Sequence, residues 1–278
     1  MDVPASRDVG AAGTLRSMGA GDSVSFDRAA GFYDETRRTD EAALAAMLEV
    51  LAGELAPRGS ALEIGVGTGQ IALPLHACGV SLTGIDISEP MMARLVDKAG
   101  GRAPFPLVRG DASQLPFADR SFGGAYARWV LHLIPDWRDA VAELGRVVQP
   151  GGVVVIEPGS YVGAWRDVWL RFVQEVGEAA MPVGLDMRGA PAELDAAFAA
   201  RGMRRRDLPD VRFRSDATLE RFFREAAART HSWTWRIPDA ELGRAVEVVR
   251  AWAQDRYGDL MHVPEPSVPL LWRAYDVA

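Results

Sequence analysis

Cysteine is almost missing from this chain. Cys78 stands alone among 278 residues, so no intrachain disulfide can form and nothing in the cysteine usage points to secretion. It falls in His76-Ala77-Cys78-Gly79, where a helix is expected to end, and reads as a small buried packing residue rather than a nucleophile. Long apolar runs are missing too, since none approaches the roughly 18 residues of a membrane span. Residues 1 to 23 are rich in Gly, Ala and Ser and lack the apolar centre of a signal peptide, so they read as a mobile tail on a cytoplasmic protein. Basic residues do not predominate. The formal net charge of -7 disfavours nucleic acid as a partner, because neutralising phosphates needs a basic surface. The one basic run, Arg201 with Arg204, Arg205 and Arg206, reads as solvated charge at the start of a strand. Histidine is scarce, and His76 and His262 have no partners at metal-ligand spacing, so no metal site is expected.

What is present is ordinary for a globular protein: 48% apolar and 25% charged residues. The length suits one large α/β domain with an appendage, or two small domains. Leu44, Met47, Leu48, Leu51 and Leu55 recur at three- and four-residue spacing, which predicts a helix over Asp40 to Ala56, closed by Pro57 and Gly59. Short apolar runs predict strands at Ala61 to Ile64, Ser81 to Ile85, Phe105 to Val108, Gly124 to Ala127 and Val153 to Ile156. Ser88 is a good N-cap for a helix reaching Lys98, and Asp136 to Val148 fits another before Pro150-Gly151-Gly152. Strands alternating with helices predict a doubly wound, mostly parallel sheet with helices on both faces. After Glu157 the pattern turns helical: about Ala164 to Ala180, Ala192 to Arg201, Leu219 to Thr230 and Asp239 to Arg256. Strands are expected there at Met203 to Arg214 and Pro269 to Tyr275. All eight tryptophans lie at or beyond Trp129, as expected of an aromatic-rich lid.

The first strand runs into a glycine turn, Glu63-Ile64-Gly65-Val66-Gly67-Thr68-Gly69, with a helix expected from Thr68 or Gln70. In a doubly wound fold a ligand sits beyond the carboxyl ends of the strands, where strand order reverses. Glycine lets it approach the backbone closely. A dinucleotide site wants G-x-G-x-x-G, but here the third glycine comes one position early and Gln70 fills the slot for Gly or Ala. No P-loop lysine follows either, so the turn suits a ligand without phosphates.

This segment resembles the first motif of the class I S-adenosylmethionine-dependent methyltransferases, in the bacterial small-molecule branch related to the ubiquinone and menaquinone C-methyltransferases, methyltransferase type 11. Further motifs follow in order from Phe26 to Glu157. The resemblance implies a Rossmann-like seven-stranded sheet and S-adenosyl-L-methionine as cofactor. Glu63, Gly65, Gly67 and Gly69 then form the cofactor turn. Asp86 meets the ribose hydroxyls and Ile87 packs on adenine. In Gly110-Asp111-Ala112, Asp111 accepts from the exocyclic amine and the backbone of Ala112 meets a ring nitrogen. Tyr33 and Arg37, in Tyr33-Asp34-x-x-Arg37, resemble a helix covering the cofactor. Tyr33 would face the sulfonium, since aromatic faces attract cations, and Arg37 would pair with the methionine carboxylate. Arg128 joins the cofactor residues at the end of strand four. The implied organisation is a tail over 1–23 and a methyltransferase domain over 24–278. That domain divides into a cofactor core (24–157), helical lid insertions around strand six (158–268) and a last strand (269–278).

The chain departs from this family at Gly123-Gly124, Arg128-Trp129 and Leu133, which leaves the acceptor side open. A small-molecule methyl acceptor is expected, methylated on oxygen, nitrogen or carbon. His132 is the candidate general base, with Tyr33 beside it and His231 next. Trp129, Trp165, Trp169, Trp233 and Trp235 either form a flat acceptor pocket or pack the lid core. Two other readings remain at this stage: an NAD(P)-dependent oxidoreductase on the same architecture, and a non-catalytic module that binds the cofactor.

Overall fold

The computed structural model describes residues 23–37, 39–159, 161–214, 216–262 and 267–278, so all but the last residue of the expected tail lies outside the described residues. A short helix α1 (Tyr33–Thr36) and α2 (Glu41–Leu55) precede β1 (Ser60–Ile64). Then come α3 (Ala72–Ala77), β2 (Ser81–Asp86), α4 (Glu89–Lys98), β3 (Leu107–Arg109), β4 (Phe122–Arg128), α5 (Trp137–Val147) and β5 (Val148–Glu157). The remainder is α6 (Gly163–Val176), α7 (Ala190–Ala199), β6 (Arg204–Asp207), β7 (Val211–Arg214), α8 (Leu219–Ala227), α9 (Asp239–Tyr257), β8 (Ser267–Leu270) and β9 (Arg273–Asp276). The helix cap expected at Ser88 forms, and Asp40 supplies another. The Asp40 side chain accepts from the Ala43 N–H at 3.0 Å and Ser88 Oγ from the Met91 N–H at 3.3 Å, each satisfying a donor that helix geometry leaves free.

Seven strands make one sheet in the order β3-β2-β1-β4-β5-β9-β6, in which only β9 runs against its neighbours. This is the expected mostly parallel, doubly wound sheet. Strand order reverses between β1 and β4, so the crevice beyond their carboxyl ends is where a ligand belongs. Side chains alternate across the sheet. Leu62, Ile64, Val154 and Ile156 pack toward α5 and α7, whereas Ala61, Tyr126, Val153 and Val155 pack toward α2 and α3. A third core sits apart and joins α6, α8 and α9 through Val168, Trp169, Phe172, Phe222, Phe223 and Val249. Leu219, Phe222, Phe223 and Ala226 lie on one face of α8, as three- and four-residue spacing requires.

Four expectations change. The single strand Met203 to Arg214 is two strands in different sheets: β6 pairs with β9, while β7 pairs with β8. Leu208-Pro209-Asp210 separates them, and proline has no N–H to give a ladder. The last strand likewise divides into β8 and β9 at Leu271-Trp272. The helix after the glycine turn begins only at Ala72, because the intervening residues remain in turns. Cys78 is exposed rather than buried, since it caps the end of the six-residue α3 just before the Gly79 turn.

The arginine run lies along the β6 edge, where Arg206 reaches Glu54 with both terminal nitrogens, at 2.8 and 2.7 Å. Gly123 has a steric reason. A Cβ there would sit 1.6 Å from the Arg58 carbonyl oxygen, and the β4–β5 register shifts between Phe122 and Gly124.

Candidate active site

Each strand end in the crevice delivers one element of the site. At the end of β1, Gly65 and Gly67 adopt positive φ, which keeps the turn tight. The Gly67 N–H donates to Asp86 Oδ2 and the Ser88 N–H to Oδ1, both at 2.8 Å. Those bonds fix the Asp86 carboxylate toward the turn, and burial pushes its pKa up. Asp111, past β3, holds the Ser113 N–H and hydroxyl on Oδ1 at 2.8 Å. Its other oxygen accepts from the Ser23 hydroxyl at 2.8 Å. Tyr33, Gly65, Gly67, Asp86, Ile87, Asp111, Ala112 and Arg128 line one cleft. That cleft holds only about 80 Å³, because the segment from Ser23 and Val24 crosses it and the Val24 N–H donates to the Leu133 carbonyl at 2.9 Å.

The other residues named from the sequence lie around the cleft. Glu63 is 4% exposed beneath the turn, and Tyr126 donates its hydroxyl to it at 2.5 Å. Burial pushes its carboxyl up to about 8 despite that bond. Gly69 meets helices: a Cβ there would be 2.7 Å from Leu95 of α4. Arg128 stacks on the Trp129 ring at 3.9 Å and stands 3.9 Å from Glu157, with its Nε buried and unpartnered among the described residues. Trp129 is a non-glycine residue at φ 54, a conformation that costs energy and is held by its N–H bond to the Glu157 carbonyl at 3.0 Å.

Arg37 is not among the residues that line the cleft. It lies on the wall of a second, larger cavity, where Nη2 donates to the Thr230 carbonyl and to His231 Nδ1, both at 3.0 Å. Its neighbour Asp34, which the sequence reading passed over, does the anchoring. Asp34 Oδ1 accepts from Thr68 Oγ1 at 2.6 Å and Gln70 Nε2 at 2.9 Å, while Lys98 reaches Oδ2 at 2.9 Å. The signal was available in the conspicuous Gln70 after the third glycine. Asp27 repeats the device by accepting from Ser88 Oγ at 2.6 Å.

The larger cavity holds about 1240 Å³ between the sheet and the lid. Trp129, Trp165, Trp169, Trp233 and Trp235 all reach its wall. Trp169 and Trp233 also belong to the core of α6, α8 and α9, at 2% and 8% exposure. His132 lies on this wall in a short 3-10 turn, Leu131–Leu133, with Nδ1 buried and unpartnered among the described residues. Burial, with the Arg37 charge second, brings its pKa down to about 4. His231 is also lowered to about 4, mainly by burial. Because Arg37 donates to its Nδ1, the proton sits on Nε2, which faces Glu225 at 3.4 Å. The cleft and the cavity share Val24, Phe26, Tyr33, Trp129 and Leu133 as walls, so the two adjoin.

Comparison with known proteins agrees with this geometry. Residues 62–156 match the family described as a methyltransferase domain. That match spans about a third of the chain. It is 39% identical over 126 residues to a demethylmenaquinone methyltransferase from Desulfitobacterium hafniense, covering 40% of this chain and 49% of that protein. It is 41% identical over 101 residues to a phosphatidylethanolamine N-methyltransferase from Cereibacter sphaeroides, covering 35% of this chain and 49% of that one. The chain thus spans about half the length of these curated relatives. Among solved structures, the YcgJ protein from Bacillus subtilis aligns with a TM-score of 0.54 at 21% identity, over 85% of this chain and 96% of that one. A candidate methyltransferase from Bacillus halodurans gives 0.57 at 17% identity, over 84% and 98%. Both share the Rossmann-like fold.

Proposed function

We propose that this protein transfers a methyl group from S-adenosylmethionine to a small-molecule acceptor. The observation that carries the reading is the junction at Tyr33 and Trp129, where a cleft built for an adenosyl ligand adjoins a large aromatic cavity. The residues fit the cofactor. Asp86 faces the glycine turn with acceptor capacity for two ribose hydroxyls, and Ile87 offers an apolar face to adenine. Asp111 already takes a hydroxyl donor from Ser23, the kind of contact an exocyclic amine makes. Ala112 offers its backbone beside it. Arg128, whose Nε faces Glu157 at 3.9 Å without a hydrogen bond, is the guanidinium on the cleft wall and is assigned the methionine carboxylate in place of Arg37. The bound cofactor supplies an electrophilic methyl group on a sulfonium.

Tyr33 presents an aromatic face at the junction, where a cation is stabilised. The tryptophan walls exclude water and align the acceptor, the chief work a protein does for an in-line displacement. An imidazole neutral down to about pH 4 is a weak base for an ordinary hydroxyl. His132 is accordingly assigned the orienting of the acceptor through Nε2. A nicotinamide dinucleotide fits poorly, because the Gln70 amide fills the slot such sites keep small and is tied to Asp34. The test is calorimetry with S-adenosylhomocysteine, followed by incubation with methyl-labelled cofactor and a metabolite extract. Absence of binding heat, or of any labelled product, would falsify the reading.

A further inference from the structure

Arg37 poses a problem that the methyl-transfer reading leaves open. Its guanidinium is half-buried, and every hydrogen bond it makes goes to a neutral group: the Thr36 and Thr230 carbonyls and His231 Nδ1. Among the described residues it forms no ion pair. The nearest carboxylate in that network, Glu225, meets Arg37 only through His231 and is already paired with Arg221 at 2.7 Å. A cation removed from water without a counter-charge is costly unless a ligand supplies one. Of the other carboxylates on the wall, Glu35, Glu41 and Asp216 stand exposed, where water and salt screen them. Half-buried Asp40 forms no ion pair with Arg37 among the described residues; its Oδ1 accepts from the Ala43 N–H and its Oδ2 is buried without a hydrogen bond.

The space beside Arg37 has a definite character. Its volume of about 1240 Å³ exceeds the roughly 300–1,000 Å³ of an ordinary small-molecule pocket. Aromatic rings stand among its wall residues, five of them tryptophans, and offer faces to a flat ligand. At the mouth Arg28 lies over the Trp235 ring at 5.1 Å, exposed and likewise without an ion pair among the described residues. We propose that the cavity takes a large aromatic acceptor bearing one anionic oxygen, with that oxygen at Arg37 and the rings against Trp129, Trp165 and Trp235. This rests on the reading of the cavity as the acceptor site. It also explains why a weak base suffices there, since an acceptor that arrives ionised has no proton to lose.

A matched pair of probes tests it: 1-anilinonaphthalene-8-sulfonate, and N-phenyl-1-naphthylamine, which lacks the anionic group. Both are titrated into the full chain with S-adenosylhomocysteine present to fill the cleft, and tryptophan quenching is read. The anion is expected to bind at least ten-fold more tightly than the neutral probe. Arg37→Gln is expected to bring the two within about two-fold, Arg37→Lys to keep most of the preference, and Trp165→Leu to weaken both probes alike. Equal affinity of the two probes for the unaltered protein overturns the proposal. So does a preference that survives Arg37→Gln, or one that disappears with Arg28→Gln instead. Failure here with S-adenosylhomocysteine still bound removes only the acceptor assignment. Selective anion binding with no S-adenosylhomocysteine binding removes the methyltransferase reading instead.

Discussion

Asp86 concentrates the most function in the fewest atoms. Its two oxygens already hold backbone N–H groups of the glycine turn and of the α4 cap, so it shapes the turn that the proposed cofactor would meet. Asp86→Ala is expected to weaken S-adenosylhomocysteine binding at least 100-fold by calorimetry, while Asp86→Asn, which keeps one acceptor, loses less. Retained affinity in the alanine variant would place the ribose elsewhere. Glu63 makes a different prediction. Its carboxyl is raised from 4.5 to about 8 by burial, so the folded protein keeps a proton that the unfolded chain releases. That contribution to stability is full below about pH 4.5 and is lost as the pH rises toward 8, at ~1 kcal/mol per pH unit in between. Denaturant melts between pH 6 and pH 8 should show this slope, and Glu63→Gln should flatten it. His132 carries the third. His132→Gln is expected to cut turnover about ten-fold with little change in cofactor affinity, and an unchanged rate would remove its orienting role.

At the scale of elements, the short helix α1 stands out. Asp34 ties it to the glycine turn through Thr68 and Gln70 and to α4 through Lys98, and Arg37 ties it to the lid. Asp34→Ala removes three hydrogen bonds to a partly exposed carboxylate and should cost about 1–2 kcal/mol in all. The more telling measurement is hydrogen exchange, which should rise across residues 32–37 before the sheet is affected. If exchange there is unchanged, the ties are not what hold the helix down. Much of this was legible in advance. The glycine turn, Asp86 and Asp111 could be read because strand ends, turns and caps are encoded locally. The bonds of Arg37 to Thr230 and His231 could not, because they depend on which distant segment comes to lie beside it. Thr230 is far from Arg37 in sequence, and no spacing rule brings them together. The division of Met203 to Arg214 into β6 and β7 was missed for a related reason. Pro209 was visible, but a strand's choice of sheet is decided by tertiary pairing.

For the whole molecule, the acid limit of stability follows from two buried histidines. His132 and His231 are both held near 4, well below the ordinary value of 6.5, so unfolding allows them to take up protons. Their contribution is present above about pH 6.5 and declines as the pH falls toward 4, opposite in sign to that of Glu63. The apo protein should therefore have its stability maximum near pH 6, and His231→Phe should shift it downward. A maximum that stays in place would mean that His231 is protonated as readily in the folded state.

Because α1 forms part of the wall of both the cleft and the cavity, the two ligands cannot be independent. A cofactor that settles Tyr33 also settles Arg37, four residues along the same chain, and so prepares the surface an acceptor meets. Thermodynamic reciprocity then requires the acceptor to tighten the cofactor by the same factor. A ratio measured from either side is one number, and its size reports how firmly a helix of four residues is held between a turn and a lid.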